Sequence, residues 1–257
     1  MNALITGASG GIGLELAKLF AKDKMNVILV ARDQKGLETV AVGLRNDFGV
    51  KTEIIAIDLS LPNAAEQVYK KAAALGGDWH VDYLVNNAGF GDFGEFATAD
   101  WNKEKSMIEL NVTALTQLCK FFIPVMIARK NGKILNVAST AAFVPGPFMA
   151  VYYATKAYVI SFSRAIGSEL RGTGITVTTL CPGPTNTNFA KTAHADATKL
   201  FDKKLPTAAE VAHYGYRSMM KGKSVAIHGF VNKLLIFSSR FVPFDMATAM
   251  SRRASGN

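Results

Sequence analysis

A chain of 257 residues with 49% apolar and 19% charged side chains has the composition of a globular domain with a sizeable core, which excludes an extended disordered protein. The formal charge of +9 is carried by scattered lysines and arginines, with no basic arm and no interleaved aromatic platform. That pattern argues for a solvated basic surface and against nucleic acid as a partner. Cys119 and Cys181 show neither CxxC nor metal-ligand spacing, so no metal is expected and both read as buried thiols.

Strand-like and helical patterns alternate from the first residues. Strands are expected at Ala3–Thr6, Val27–Val30, Glu53–Ile57, Tyr83–Asn86, Lys133–Ala138, Thr176–Leu180 and Ser224–Ile227. Several are continuous apolar runs, as in a sheet covered on both faces. Helical periodicity falls between them at Gly13–Lys22, Lys35–Phe48, Ala64–Leu75, Trp101–Arg129, Tyr152–Leu170 and Ala208–Met220. Such alternation predicts one α/β domain over 1–257, a doubly wound parallel sheet of Rossmann type with helices on both faces. Met1 and Asn2 lead straight into the first strand, and the apolar runs fall short of the ~20 residues a bilayer span needs. A cytoplasmic protein is therefore the expectation.

The first strand empties into Thr6-Gly7-Ala8-Ser9-Gly10-Gly11-Ile12-Gly13 and then a helix. Glycines in such a turn let backbone N–H groups and a helix N-terminus approach a phosphate, so Gly7, Ser9, Gly11, Ile12 and Gly13 are candidates for holding a dinucleotide. The second strand ends in Val30-Ala31-Arg32-Asp33. An NAD site places a carboxylate there to hold the ribose 2′-hydroxyl, whereas Arg32 suits a 2′-phosphate, so NADP(H) is the expected cofactor. The competing reading makes Arg32 a surface residue and Asp33 a helix cap. No basic residue in the glycine turn adds to the case.

Four further segments fall at strand ends or in helices. They are Asn86-Asn87-Ala88-Gly89, Asn111, Ser139, and Tyr152-Tyr153-Ala154-Thr155-Lys156. With the glycine turn, this combination resembles the short-chain dehydrogenase/reductase family in its branch of about 250 residues, from the first strand to Pro182-Gly183. The resemblance implies a hydride transfer between a nicotinamide and a carbonyl or hydroxyl carbon. It implies catalytic roles for Asn111, Ser139, Tyr152 and Lys156, and cofactor contacts from Asn87, Ala88, Gly89, Tyr152 and Lys156. Asp58 resembles the family residue at the adenine amine, although Ser60 and Pro62 equally mark it as a helix start. Pro182-Gly183-Pro184-Thr185-Asn186-Thr187 resembles the loop that covers the nicotinamide, with the choice between Thr185 and Thr187 left open.

The chemistry of the group is intelligible on its own terms. A phenol has an ordinary pKa of about 10, too high for efficient proton transfer at neutral pH. Lys156 lies one helical turn beyond Tyr152 on the same face, where its ammonium would lower that value. Ser139 can hydrogen-bond the substrate oxygen. Tyr153 has no basic residue four positions on, which favours Tyr152. Asn111, by the resemblance alone, would keep a water in a relay to Lys156.

Segments after the fourth, fifth and sixth strands carry Phe90, Phe93, Phe96, Phe143, Val144, Pro147, Phe148, Met149 and Phe189. They suggest an apolar acyl, alkyl, aryl or ring ketone as substrate, or closure of the core. His194 reads as a solvated residue within a covering loop over 184–206. Beyond Gly229 the chain turns apolar, and Phe230, Leu234, Phe237 and Phe241 share one helical face of a tail over 229–257. That stripe can pack on the body, join a sister subunit in a homodimer or homotetramer, or rest weakly on a membrane surface. An NADPH-dependent carbonyl reductase or alcohol dehydrogenase is the leading expectation. A non-catalytic NADP(H)-binding redox sensor is the alternative, and a longer epimerase-type chain is disfavoured because 257 residues lack its substrate domain.

Overall fold

The computed structural model describes residues 1–195, 198 and 205–254. Seven parallel strands form a single sheet: β1 (Asn2–Thr6), β2 (Asn26–Ala31), β3 (Thr52–Ala56), β4 (Val81–Asn86), β5 (Gly132–Val137), β6 (Ile175–Cys181) and β7 (Val225–Ile227). Their spatial order is β3-β2-β1-β4-β5-β6-β7. The expected strands all form, with ends shifted by at most two residues.

The alternation within each strand explains why both sheet faces carry apolar runs. Ala3 and Ile5 of β1 pack with Val27, Leu29, Val85 and Leu135 on one face. Leu4 packs with Ile28, Val30, Leu84 and Ile134 on the other. The first face is covered by α1 (Gly11–Lys22), α2 (Gln34–Phe48) and α8 (Ala208–Met220), through residues such as Leu16, Phe20, Leu37 and Val211. The second is covered by α3 (Ala64–Ala74), α5 (Leu115–Arg129) and α6 (Ala150–Glu169), through Val68, Leu118, Phe122 and Val159. Local chemistry fixes the helix ends. Asp33 caps α2 by accepting from the Gly36 N–H at 3.0 Å, and Thr207 and Glu210 form a reciprocal capping box on α8.

The stretch Trp101–Arg129 departs from a regular helix. It consists of α4 (Trp101–Ile108), a wide π-turn over Glu109–Ala114, and α5. This rod is long and apolar enough, by length and composition, to cross a membrane, although its continuous apolar runs are short, as expected. Leu115, Leu118, Cys119, Phe122 and Met126 along it are buried in the core against the sheet. The loop over 184–206 contains a short helix α7 (Phe189–Thr192), and its residues 196, 197 and 199–204 lie outside those described. The tail forms two helices, α9 (Phe230–Ser239) and α10 (Phe244–Ala254), with Pro243 between them.

Strand order reverses between β2-β1 and β4-β5, so the crossovers from β1 and β4 diverge to opposite faces. They leave a crevice beyond the carboxyl ends of those strands. A cleft of about 580 Å³ opens there.

Candidate active site

One end of the cleft is a glycine cradle. Gly7 has φ +66°, and a Cβ there would come within 2.8 Å of Asn87 Nδ2 and 3.1 Å of the Ala88 backbone. Gly13 does not line the cleft. It packs underneath, where a Cβ would collide with the Gly7 carbonyl and lie 2.6 Å from Asn87 Nδ2. The two glycines therefore serve different ends, Gly7 the open turn and Gly13 the contact of helix with turn. Ser9, Gly11 and Ile12 line the cleft with Gly7. The N-cap of α1 is Gly10, which contributes no side-chain cap, so the first N–H groups of the helix are left to an incoming anion.

The floor is tied down by a residue that sequence reasoning left among the turn residues. Thr6 Oγ1 accepts from the backbone N–H groups of both Asn87 and Ala88 at 3.0 Å, and Asn87 Nδ2 donates back to the Thr6 carbonyl at 2.9 Å. The end of β4 is thus stitched to the end of β1, and Asn87, Ala88 and Gly89 line the cleft in fixed positions. A Thr immediately before the glycine turn was the available signal.

At the other end, Ser139 follows β5, and Tyr152 and Lys156 lie on one face of α6. Ser139 Oγ accepts from the Ala141 N–H at 3.1 Å, which holds it at the start of a 3₁₀ turn over Thr140–Phe143. Tyr152 is buried, its ring 5.3 Å from that of Phe189, and both Tyr152 and Ser139 line the cleft. Lys156 Nζ lies 5.8 Å from the Tyr152 ring centroid and donates to the Val137 carbonyl at 3.0 Å. Burial pushes the Tyr152 phenol above its ordinary value, while Ser139 pulls it down. Burial also lowers the Lys156 ammonium to about 8.

Asn111 stands behind the cleft, 1% exposed, on the π-turn. Its Nδ2 donates to the Phe90 carbonyl at 2.9 Å and to Thr155 Oγ1 at 3.1 Å, and its Oδ1 accepts from the Phe90 N–H at 3.2 Å. The side chain thereby clamps the segment after β4 to α6. One lone pair of Oδ1 remains for a water.

Along the rim, the Arg32 side chain is 70% exposed and reaches Asp58 Oδ2 at 3.7 Å. Asp58 Oδ1 accepts from the Ser60 N–H and hydroxyl, so this residue both opens the following turn and faces the cleft. Pro182, Gly183, Thr185 and Thr187 all line the opposite rim. Thr185 donates to the Gly183 carbonyl at 2.9 Å, whereas Thr187 lies over the cradle, its Cγ2 3.4 Å from where a Gly11 Cβ would stand.

The aromatic lining divides. Phe90, Met149 and Phe189 border the cleft, and Leu59 and Leu110 join them without having been singled out from sequence. Phe93 packs against Phe148 with the rings tilted and their centroids 5.8 Å apart, while Phe143 packs on the main core. Phe96, 66% exposed, turns away into solvent. His194 is part of a cluster: its Nδ1 lies 3.1 Å from Asp92 Oδ1, which also pairs with Lys103. The His194 side chain is 69% exposed, as expected of a solvated residue, and the contact with Asp92 lies at the surface.

Among the described residues no group of three or more His, Cys, Asp or Glu is placed to hold a metal. The residues present do fit a dinucleotide. The cradle, the uncapped helix and the rim arginine lie at one end of the cleft, and the Ser139, Tyr152 and Lys156 group lies at the other.

Residues 1–198 match the family model for short chain dehydrogenase. The chain is 31% identical over 259 residues to a very-long-chain 3-oxoacyl-CoA reductase of Danio rerio, covering 98% of this chain and 77% of that protein. It is 33% identical over 194 residues to the Rattus norvegicus enzyme of that name, covering 74% of this chain but only 61% of the rat protein's length. A short-chain dehydrogenase from Sphingobium yanoikuyae, solved in complex with NADPH, superposes with a TM-score of 0.81 at 30% identity, covering 93% of each chain. The seven-stranded parallel sheet, the glycine cradle and the Ser139, Tyr152 and Lys156 group thus accompany a family match over most of the sequence, and the chain belongs to the short-chain dehydrogenase/reductase family of oxidoreductases.

Proposed function

We propose that this protein is an NADPH-dependent carbonyl reductase or alcohol dehydrogenase for an apolar ketone or its alcohol, with Tyr152 as the general acid and base. The observation that carries the reading is the buried Tyr152 side chain beside Ser139 and Lys156, at the end of a cleft that begins in a phosphate-suited cradle. The relatives' names, a 3-oxoacyl-CoA reductase and a dehydrogenase bound to NADPH, point the same way.

Gly7, Ser9, Gly11, Ile12 and the first turn of α1 would hold the diphosphate, with Arg32 on the 2′-phosphate, Asp58 near the adenine, and Asn87 to Gly89 beneath the ribose. Pro182, Gly183, Thr185 and Thr187 would close over the nicotinamide. When bound, the nicotinamide supplies or accepts the hydride. Ser139 positions the substrate oxygen, and Tyr152 Oη gives it a proton in reduction or takes one in oxidation. Lys156 holds the ribose and favours the phenolate, and Asn111 keeps the wall at Phe90 in place. Phe90, Met149 and Phe189 exclude water from the reacting carbon and select apolar chains.

The test is NADPH consumption against ketones graded by chain length, with NADH and Tyr152→Phe in parallel. We expect turnover favouring NADPH and rising with apolar length, and a loss of roughly 10³-fold in the variant. Tight NADPH binding without turnover of any ketone or alcohol would instead support a redox sensor.

A further inference from the structure

The two C-terminal helices present more apolar surface than a body-packed element needs. Helix α9 is apolar around most of its circumference, and only Ile236 of its large apolar side chains is buried. Asn232, Ile236 and Ser239 form the side turned to the body, while Phe230, Val231, Leu234, Leu235 and Phe237 are exposed. Phe241, Phe244, Met246 and Met250 extend the patch along the turn and α10. Phe230, Phe241 and Phe244 are 79%, 74% and 76% exposed. A helix apolar all round is one that something covers, and a contiguous patch of this kind marks an interaction surface.

The charge around the patch selects the occupant. Between residues 230 and 254 stand Lys233, Arg240, Arg252 and Arg253 against a single carboxylate, Asp245. Arg240 and Arg253 are exposed. A second copy joined through a two-fold axis would set this cationic patch against itself, which is unfavourable. An anionic bilayer accepts both components, large apolar side chains entering the acyl boundary and cations meeting the headgroups. The whole chain's charge of +9 adds attraction of the same sign.

We propose that α9 and α10 dock the protein onto an anionic lipid surface. The tail is fastened to the walls of the cleft. Asn232 packs on Gly183 of the rim loop, Ser251 is hydrogen-bonded with Tyr153, and Arg252 lies 5.2 Å from the Phe148 ring centroid. Docking therefore places the lipid beside the cleft, where an apolar substrate would leave the bilayer. That last step rests on the proposed activity; the docking does not.

The docking is tested by co-sedimentation of the full chain with vesicles, without cofactor or substrate, so its result is independent of catalysis. Vesicles of phosphatidylcholine alone are compared with vesicles containing phosphatidylserine. We expect at least 10-fold stronger partitioning onto the anionic vesicles, weakened by salt. Phe237→Ser with Phe241→Ser should reduce it at least 10-fold without changing the thermal midpoint, as should Arg240→Glu with Arg253→Glu. No binding to anionic vesicles, or binding that neither pair of substitutions alters, would overturn the proposal. So would a dimer that the phenylalanine variants split and that vesicles do not displace.

Discussion

The two ends of the cleft are built by different means. At the cofactor end, contiguous segments are locked by backbone contact: Gly7 against Ala88, Gly13 under the Gly7 carbonyl, and Thr6 bonded to two successive N–H groups. At the substrate end, Phe90, Met149 and Phe189 come from three separate segments whose side chains line the cleft. At Gly7 and Gly13 the first kind of site has no slack, because an added atom meets backbone. The second can be resized by rotamer changes or single substitutions. One half of the cleft binds a constant ligand, and the other is free to specify a variable one.

The contrast is sharpest at Gly13. Gly13→Ala should destabilise the fold by about 2–3 kcal/mol in urea unfolding, because the new Cβ meets backbone that cannot withdraw. A loss below about 0.5 kcal/mol would show that the cradle yields as easily as the opposite wall. Lys156 should behave in the reverse sense. Its ammonium, lowered by burial to about 8 from 10.5, disfavours the folded state fully below about pH 8. Between those values the unfolded chain binds the proton more, so this contribution to stability rises with pH and the penalty is gone above 10.5. Lys156→Met should therefore raise the unfolding free energy at pH 7 by roughly 1–2 kcal/mol while abolishing turnover. The gain should disappear above about pH 10.5.

Smaller effects probe the rims. Arg32→Ala should raise the KM for NADPH by about 10-fold, or about 1.4 kcal/mol, and leave that for NADH unchanged. Equal effects on both cofactors would remove the 2′-phosphate from its role. At the bottom of the scale, Phe96→Ala should change neither stability, within about 0.5 kcal/mol, nor the preference among ketones, since its ring faces solvent.

This division also marks what could be read from the sequence. The sheet, its helices, the glycine turn, the Asn87 segment and the Tyr152–Lys156 pair are local patterns, and local geometry places them. Every cofactor candidate except Gly13 lines the cleft, and Gly13 lies directly beneath it. What could not be read depends on how loops turn in space. Phe96 and Phe143 belong to the right segments, yet one faces solvent and the other the core. Period does not govern side-chain direction in a loop. The two-way bond of Asn111 with Phe90 was hidden because the helical pattern gives no sign of a π-turn. The exposure of the tail was equally hidden, since an apolar stripe looks the same whether protein or lipid covers it.

The wide turn at Glu109–Ala114 has a consequence for how this family member can change over generations. An α-helix advances about 100° per residue, and a π-turn holds one residue more than the regular helix. Deleting a single residue there would regularise the hydrogen bonding and leave Trp101–Ile108 in nearly the same phase against Leu115–Arg129, but it would remove the bulge that carries Asn111. Local regularity and the placement of Asn111 are opposed at this point. A simpler helix is therefore one deletion away, and what preserves the irregularity is the clamp that Asn111 makes on Phe90 and Thr155.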